Sequence, residues 1–283
     1  MAQRTHRIVG KEESTNTSQY IYEVPTVRKL AYMYWAINKM DIEDDEQIDR
    51  FMLITECSMY QTYRNQEFEW KKIRDAARQF IRDNKSSFPV RFEYVQSLGA
   101  DYYDEDRQAF KIVNRDAILS TRSFEAMAKD ASQPVCGNIS VNGKNGYETG
   151  VIFQLNRPIT LQYIPMTKEK AEKFMQNIAN KIKNMSQSRR AAAESNLKQF
   201  YLVMDIKAFA YKQTVSGSQF NTAVAEIYSV LEGYEIYSDF DRKNLIYKME
   251  FKKKNMNKKV LDEISDNFKS FVDSVKDVGM FTN

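Results

Sequence analysis

Lys85-Ser86-Ser87-Phe88-Pro89-Val90-Arg91-Phe92-Glu93-Tyr94-Val95-Gln96 decides how this chain folds. Before it, apolar residues recur at helical spacing; from Val90 onward they alternate with polar ones, and Pro89 stands at the change. Proline lacks the N–H a helix interior needs, so a helix arriving from upstream stops here. Phe92, Tyr94 and Gln96 then face one way and Arg91, Glu93 and Val95 the other, as in a half-exposed strand.

Upstream of that switch the spacing predicts three helices. Pro25-Thr26 opens the first, whose stripe is Leu30, Ala31, Tyr34, Trp35 and Ile37. The acidic run Asp41 to Glu46 opens the second, because carboxylates suit a helix N-terminus through capping and the backbone dipole. Its face runs through Ile48, Phe51, Met52, Thr55, Met59 and Tyr63, and the third helix carries Phe68, Ile73, Ala77, Phe80 and Ile81.

Downstream, Ala109 to Val113, Val151 to Leu155, Ile159 to Ile164, Phe200 to Ala208, 223–237 and Leu245 to Phe251 read as strands. Thr167 to Asn184 reads as a helix, Ala117 to Lys129 as a weaker one, and Ser238 to Asn244 as a hairpin turn. Lys258 to Val278 is amphipathic through Val260, Leu261, Ile264, Phe268, Phe271, Val272 and Val275, and is expected to pack across the sheet. The expected class is α+β: an N-terminal three-helix unit followed by a mainly antiparallel sheet with packed helices. Residues 1–19 form a polar, flexible tail, 20–87 the helical unit and 88–283 the α+β domain, unless the helices simply cover the sheet and make one domain of both.

Composition excludes a good deal. Only 9 Gly and 5 Pro argue against a turn-dense array of short strands, and 17 Phe with 17 Tyr argue against disorder of the whole chain. No run of apolar residues is long enough to span a bilayer, and the N-terminus shows no apolar signal region. As written the chain reads as cytoplasmic; one whose signal had been removed would look the same, so the bacterial envelope stays open. The net charge of +4 divides into −4 over residues 1–106 and +8 over the remainder, which reads either as opposed binding faces or as drift of surface charge.

The only histidine, His6, lies in the tail, and there is no P-loop, GxGxxG, GxSxG, HExxH or cysteine–histidine zinc set. Cys57 and Cys136 are far apart in no CxxC pattern. The plainer reading is two reduced, buried thiols; a disulfide would require an oxidising compartment. Asp101, Asp104 and Asp106 share a polar turn with Glu105 but lack the calcium-loop pattern, and Asp239 and Asp241 read likewise as solvated turn residues. Glu56, Glu67 and Glu69 are conceivable hydrolytic carboxylates, although surface glutamates are the default. Lys252, Lys253, Lys254, Lys258 and Lys259 form the strongest charge feature, a candidate anion-binding loop for nucleic acid or anionic lipid. Tyrosines cluster at Tyr20 and Tyr22, Tyr60 and Tyr63, Tyr102 and Tyr103, and Tyr228, Tyr234 and Tyr237, in part as interface residues.

Ile48-Asp49-x-Phe51-Met52-x-Ile54-x-Glu56-Cys57, then Tyr63-Arg64-Asn65-x-Glu67-Phe68-Glu69-Trp70-x-Lys72-Ile73-Arg74, then Phe88-Pro89-x-Arg91-Phe92-x-Tyr94 resembles a poorly characterised bacterial family of unknown function, often exported. The resemblance covers roughly residues 45–94 and brings no catalytic residue; the chain departs from it in showing no signal segment. It implies a bacterial, envelope-associated, non-enzymatic protein.

The leading expectation is therefore a non-catalytic interaction or structural protein, an accessory subunit of a larger bacterial assembly such as an envelope or secretion system. No catalytic residue, metal ligand or cofactor is assigned. A carboxylate- or metal-dependent hydrolase is the second expectation, and an anionic-surface binding module the third.

Overall fold

The computed structural model describes residues 21–141, 146–186, 190, 198–216 and 222–251. The tail with His6, the lysine run 252–259 and the amphipathic stretch 258–278 lie outside the described residues.

Helix α1 (Val27–Ala36) starts where Thr26 accepts a hydrogen bond from Lys29 N, and it buries Val27, Leu30, Ala31, Met33, Tyr34 and Trp35. Asp44 caps α2 (Asp45–Thr55), accepting from Glu46 N and Gln47 N, so the acidic run does open a helix there. That helix does not continue to Tyr63. Glu56 leaves helical geometry at φ −132°, and a separate short helix, α3 (Cys57–Tyr63), follows it. With α4 (Glu67–Asn84) the region holds four helices in place of the expected three.

After Pro89 come β1 (Arg91–Asp104), β2 (Ala109–Ile112), β3 (Ile118–Met127), β4 (Gly150–Leu161) and β5 (Tyr163–Pro165). Helix α5 (Lys168–Lys183) precedes β6 (Gln199–Val215), β7 (Val224–Tyr237) and β8 (Leu245–Glu250). The stretch Ala117 to Lys129, expected as a weak helix, is mostly the strand β3. The two strands expected at 151–155 and 159–164 are largely the single strand β4, with β5 as a short continuation.

The strand order is β3-β4-β7-β6-β1-β2-β5, with β8 also paired to β7. β4 runs parallel to β7, and the other strand pairs are antiparallel. β4 stands second in this order and β5 last, yet only Gln162 separates them, and its carbonyl accepts from Ile112 N at 2.9 Å. A flat sheet cannot satisfy both positions. The sheet therefore curls until its two ends meet along one stretch of chain, and the class is α+β with a mixed, curled sheet.

The curl encloses the core. Phe92, Tyr94 and Leu98 of β1, Phe153 and Leu155 of β4, Phe200, Leu202, Met204 and Ile206 of β6, and Ile227 and Ile236 of β7 belong to one buried cluster with Leu30, Tyr34 and Trp35 of α1. Phe174 of α5 joins it against Phe110 and Phe200, with ring centroids 5.6 and 4.9 Å apart. Such close packing leaves the outer sheet face, the helix corners and the mouth of the curl as places where function can reside.

Candidate functional site

α3 and the start of α4 make a corner unlike the rest of the helical layer. α3 buries none of its seven residues, and every residue from Gln61 to Glu69 is exposed. Phe68 is 81% exposed, and Met59 and Tyr63 are also among the large exposed hydrophobics. Phenylalanine, tyrosine and arginine are enriched in protein interfaces, and the corner places Tyr63, Arg64 and Phe68 within six positions.

Two attachments hold it. Tyr60 packs edge-on against buried Trp70, with centroids 5.6 Å apart, and Arg64 lies 4.9 Å over the Tyr60 ring. The second is covalent: Cys57 at the head of α3 is bonded to Cys136, with Cα atoms 5.3 Å apart across 79 residues of sequence. The expectation of two reduced thiols is thereby corrected. Nothing in either local sequence announces the pairing, because it depends on the tight turn at Cys136-Gly137-Asn138-Ile139 arriving beside α3. Ile139 N donates to Cys136 O at 2.9 Å. Gly137 has φ +59°, and a Cβ there would sit 3.0 Å from Gln61 Nε2, so glycine meets both the backbone and the contact requirement.

Beneath the helices lies a buried ion pair that the sequence did not flag. Lys39 Nζ meets Glu148 Oε2 at 2.9 Å, with side chains 5% and 3% exposed. The ammonium also donates to Gly146 O and lies 5.0 Å over the rings of Tyr34 and Tyr211. Thr214 Oγ1 donates to Glu148 Oε1 at 2.8 Å, and Tyr34 donates to Glu148 O at 2.7 Å. Trp35 Nε1 donates to the Tyr147 hydroxyl at 3.0 Å, which in turn donates to Gln47 O at 3.0 Å. Together they tie α1 and α2 to the segment entering β4. A pair so enclosed demands full satisfaction of its charges, which fixes position more than it adds stability.

On the outer sheet face, register brings Glu93 of β1, Asp205 of β6, Gly233 of β7 and Glu250 of β8 into one row. Burial, reinforced by Glu235 and Glu93 and opposed by Lys248, raises the Asp205 carboxyl to about 7. Its neighbours are paired: Glu93 with Arg242 at 2.7 Å, Glu232 with Arg91 at 2.8 Å and Glu235 with Lys248 at 3.1 Å. A carboxyl raised to about 7 beside carboxylates held in ion pairs suits proton exchange.

A fourth feature is a cleft of about 530 Å³ between β1 and the turn before β3, lined by Gly99, Asp101, Asn114, Arg115 and Lys198. Asp116 accepts Gly99 N there at 2.8 Å.

The carboxylates singled out from sequence do not come together. Glu56 pairs with Arg28 at 3.2 Å and Glu69 with Lys72 at 3.0 Å, both on the surface, and Glu67 is exposed. The Arg107 backbone N–H and then its guanidinium lower the pKa of Asp104, and Glu105 meets Lys168 at 3.1 Å. Burial works against the charge of Asp239, but the N–H groups of Lys243 and Asn244 outweigh it and lower its pKa. Among the described residues no three His, Cys, Asp or Glu side chains gather as metal ligands. No helix among them is long and apolar enough to cross a membrane. Lys252, Lys253, Lys254, Lys258 and Lys259 lie outside the described residues.

Residues 43–177 match a family model described as a domain of unknown function, DUF4852. The stretch 45–94 that carried the resemblance falls inside it, as do both bonded cysteines and the whole corner. No curated protein and no solved structure matches the chain. The matched segment spans α2 to β5 whole but omits β6 and β7, the strands that join β1 to β4 in the sheet. In this chain, then, it is not a sheet complete in itself.

Proposed function

We propose that this is a non-catalytic interaction protein, an accessory subunit of a larger bacterial assembly in or near the envelope, which docks through the α3–α4 corner. The observation that carries the reading is the run of nine exposed residues, Gln61 to Glu69, presenting Tyr63, Arg64 and Phe68 on a covalently stapled base. Aromatic and arginine side chains that stand clear of their own fold supply large contact area and a bidentate donor to a partner. The disulfide supports a compartment that oxidises thiols, in keeping with an exported protein.

The test is capture of the tagged full-length chain from its native cells, beside a Phe68→Asp variant of unchanged circular dichroism. A stoichiometric partner retained by the parent and lost by the variant is the expected result. Equal retention by both, or no partner with either, would contradict the reading.

Asp205 favours a second reading, carboxylate chemistry on a bound substrate, because its carboxyl is held near neutrality among Glu93, Glu232 and Glu235. On that reading Asp205→Asn abolishes a hydrolytic activity without loss of fold. On the first it leaves partner capture intact.

A further inference from the structure

We propose that the Cys57–Cys136 disulfide is a redox-labile clasp, so that a dithiol reductant releases the α3–α4 corner while the curled sheet and α1 stay folded. The inference rests on the docking reading above and adds its regulation.

The argument begins with what α3 lacks. It is seven residues long, shorter than an isolated helix can sustain in water, and it buries no residue. Glu56 at its head makes no side-chain cap. Its contact with the interior is the half-buried ring of Tyr60 on Trp70. Neither cysteine belongs to the main buried cluster, which includes α1, α2 and the inner faces of the strands. Breaking the bond therefore removes a tether at the periphery and opens no hole in the core. Cys57 is only half buried and Cys136 is buried, so a reductant reaches the Cys57 sulfur first.

The chemistry balances as thiol–disulfide exchange. One thiolate of the reductant attacks Cys57 Sγ, forming a mixed disulfide and expelling Cys136 as a thiolate that takes up a proton. The second thiolate of the reductant attacks its own partner sulfur, closing the reductant's disulfide and releasing Cys57, which is protonated in turn. Two electrons pass from the dithiol to the protein. The chain contains 2 cysteines, so no other thiol competes for the exchange.

The experiment is limited trypsin digestion of the oxidised full-length protein, with and without prior treatment with dithiothreitol, read by peptide mapping. Cleavage after Arg64 is expected to quicken at least tenfold on reduction, while cleavage after Lys39 and Lys207 stays slow. Reoxidation restores the slow rate. A Cys57→Ser/Cys136→Ser variant shows the fast rate with or without reductant; should it fail to fold, the reversible change in the parent decides.

Unchanged cleavage after Arg64, or equal acceleration at all three sites, overturns the clasp. Each failure is separable. A clasp that fails while capture still depends on Phe68 leaves the docking reading in place. A clasp that opens as described, in a protein whose capture ignores Phe68, stands as a device without that docking role.

Discussion

α1 and α3 are both short helices of one layer, ten and seven residues long, and they are held in opposite ways. α1 buries six side chains and sends hydrogen bonds from Tyr34 and Trp35 into the segment entering β4. α3 buries none and is fastened through a single covalent bond and one aromatic ring. The difference teaches where each contributes. Packing makes α1 inseparable from the fold, whereas a tether leaves α3 on the surface, with its side chains available to a partner and its position open to redox control.

Substitutions can break or sharpen this contrast. The largest effect is expected at Trp35, only 2% exposed: Trp35→Ala leaves a cavity and removes the hydrogen bond that the Tyr147 hydroxyl accepts, costing about 3–5 kcal/mol in urea denaturation. Lys39→Met keeps the volume of the stem but leaves Glu148 buried without its counter-charge, for a loss of about 3 kcal/mol at pH 7. Cys57→Ser frees the 79-residue closed stretch in the unfolded chain and should cost about 2–4 kcal/mol, with the change in local order confined to the corner and the 136–139 turn.

Asp205→Asn carries the opposite sign. The folded carboxyl titrates near 7, above its unfolded value, so the stability it lends is fully present below the ordinary carboxylate range and is lost as pH rises through about 7. The variant should therefore gain stability relative to the parent between pH 5 and pH 8, by about 2–3 kcal/mol, read from urea midpoints at the two values. A gain that is equal at both would mean that ionisation at Asp205 is not its source.

What the sequence made legible were elements that obey one rule along their whole length. The stripe from Leu30 to Ile37 yielded α1, the alternation from Phe200 to Ala208 yielded β6, and the acidic run yielded the cap of α2. The misreadings fall where a tertiary contact overrides the local pattern. β3 is an edge strand with Leu119 exposed, Ser120 at φ +56° and register shifts on either side of Thr121, so its alternation is broken and the stretch Ala117 to Lys129 reads as helical. In β4, Asn156 and Pro158 look like a break. Past Leu155, however, that strand has left β7, so Pro158 removes no hydrogen bond on that side, and Asn156 Oδ1 accepts from Leu231 N at 3.0 Å. The apolar face from Ile48 to Tyr63 hides the break at Glu56, because α2 and α3 happen to keep compatible spacing.

The candidate site was less legible still. Tyr63 is in view among the clustered tyrosines, but the spacing places Phe68 and Met59 on apolar helix stripes, and the structure exposes both. The bond from Cys57 to Cys136, the pair of Lys39 with Glu148 and the row through Asp205 all join residues distant in sequence. Such meetings are set by sheet register and by turns such as that at Gly137, and no local spacing encodes them.

The most direct test of the contrast between the two helices is amide hydrogen exchange, read by mass spectrometry, on the parent and on the Cys57→Ser/Cys136→Ser variant. The account predicts that peptides covering 57–66 and 136–139 lose protection in the variant while those covering 27–36 keep theirs. Equal loss in α1 and α3, or undiminished protection in α3, would contradict it.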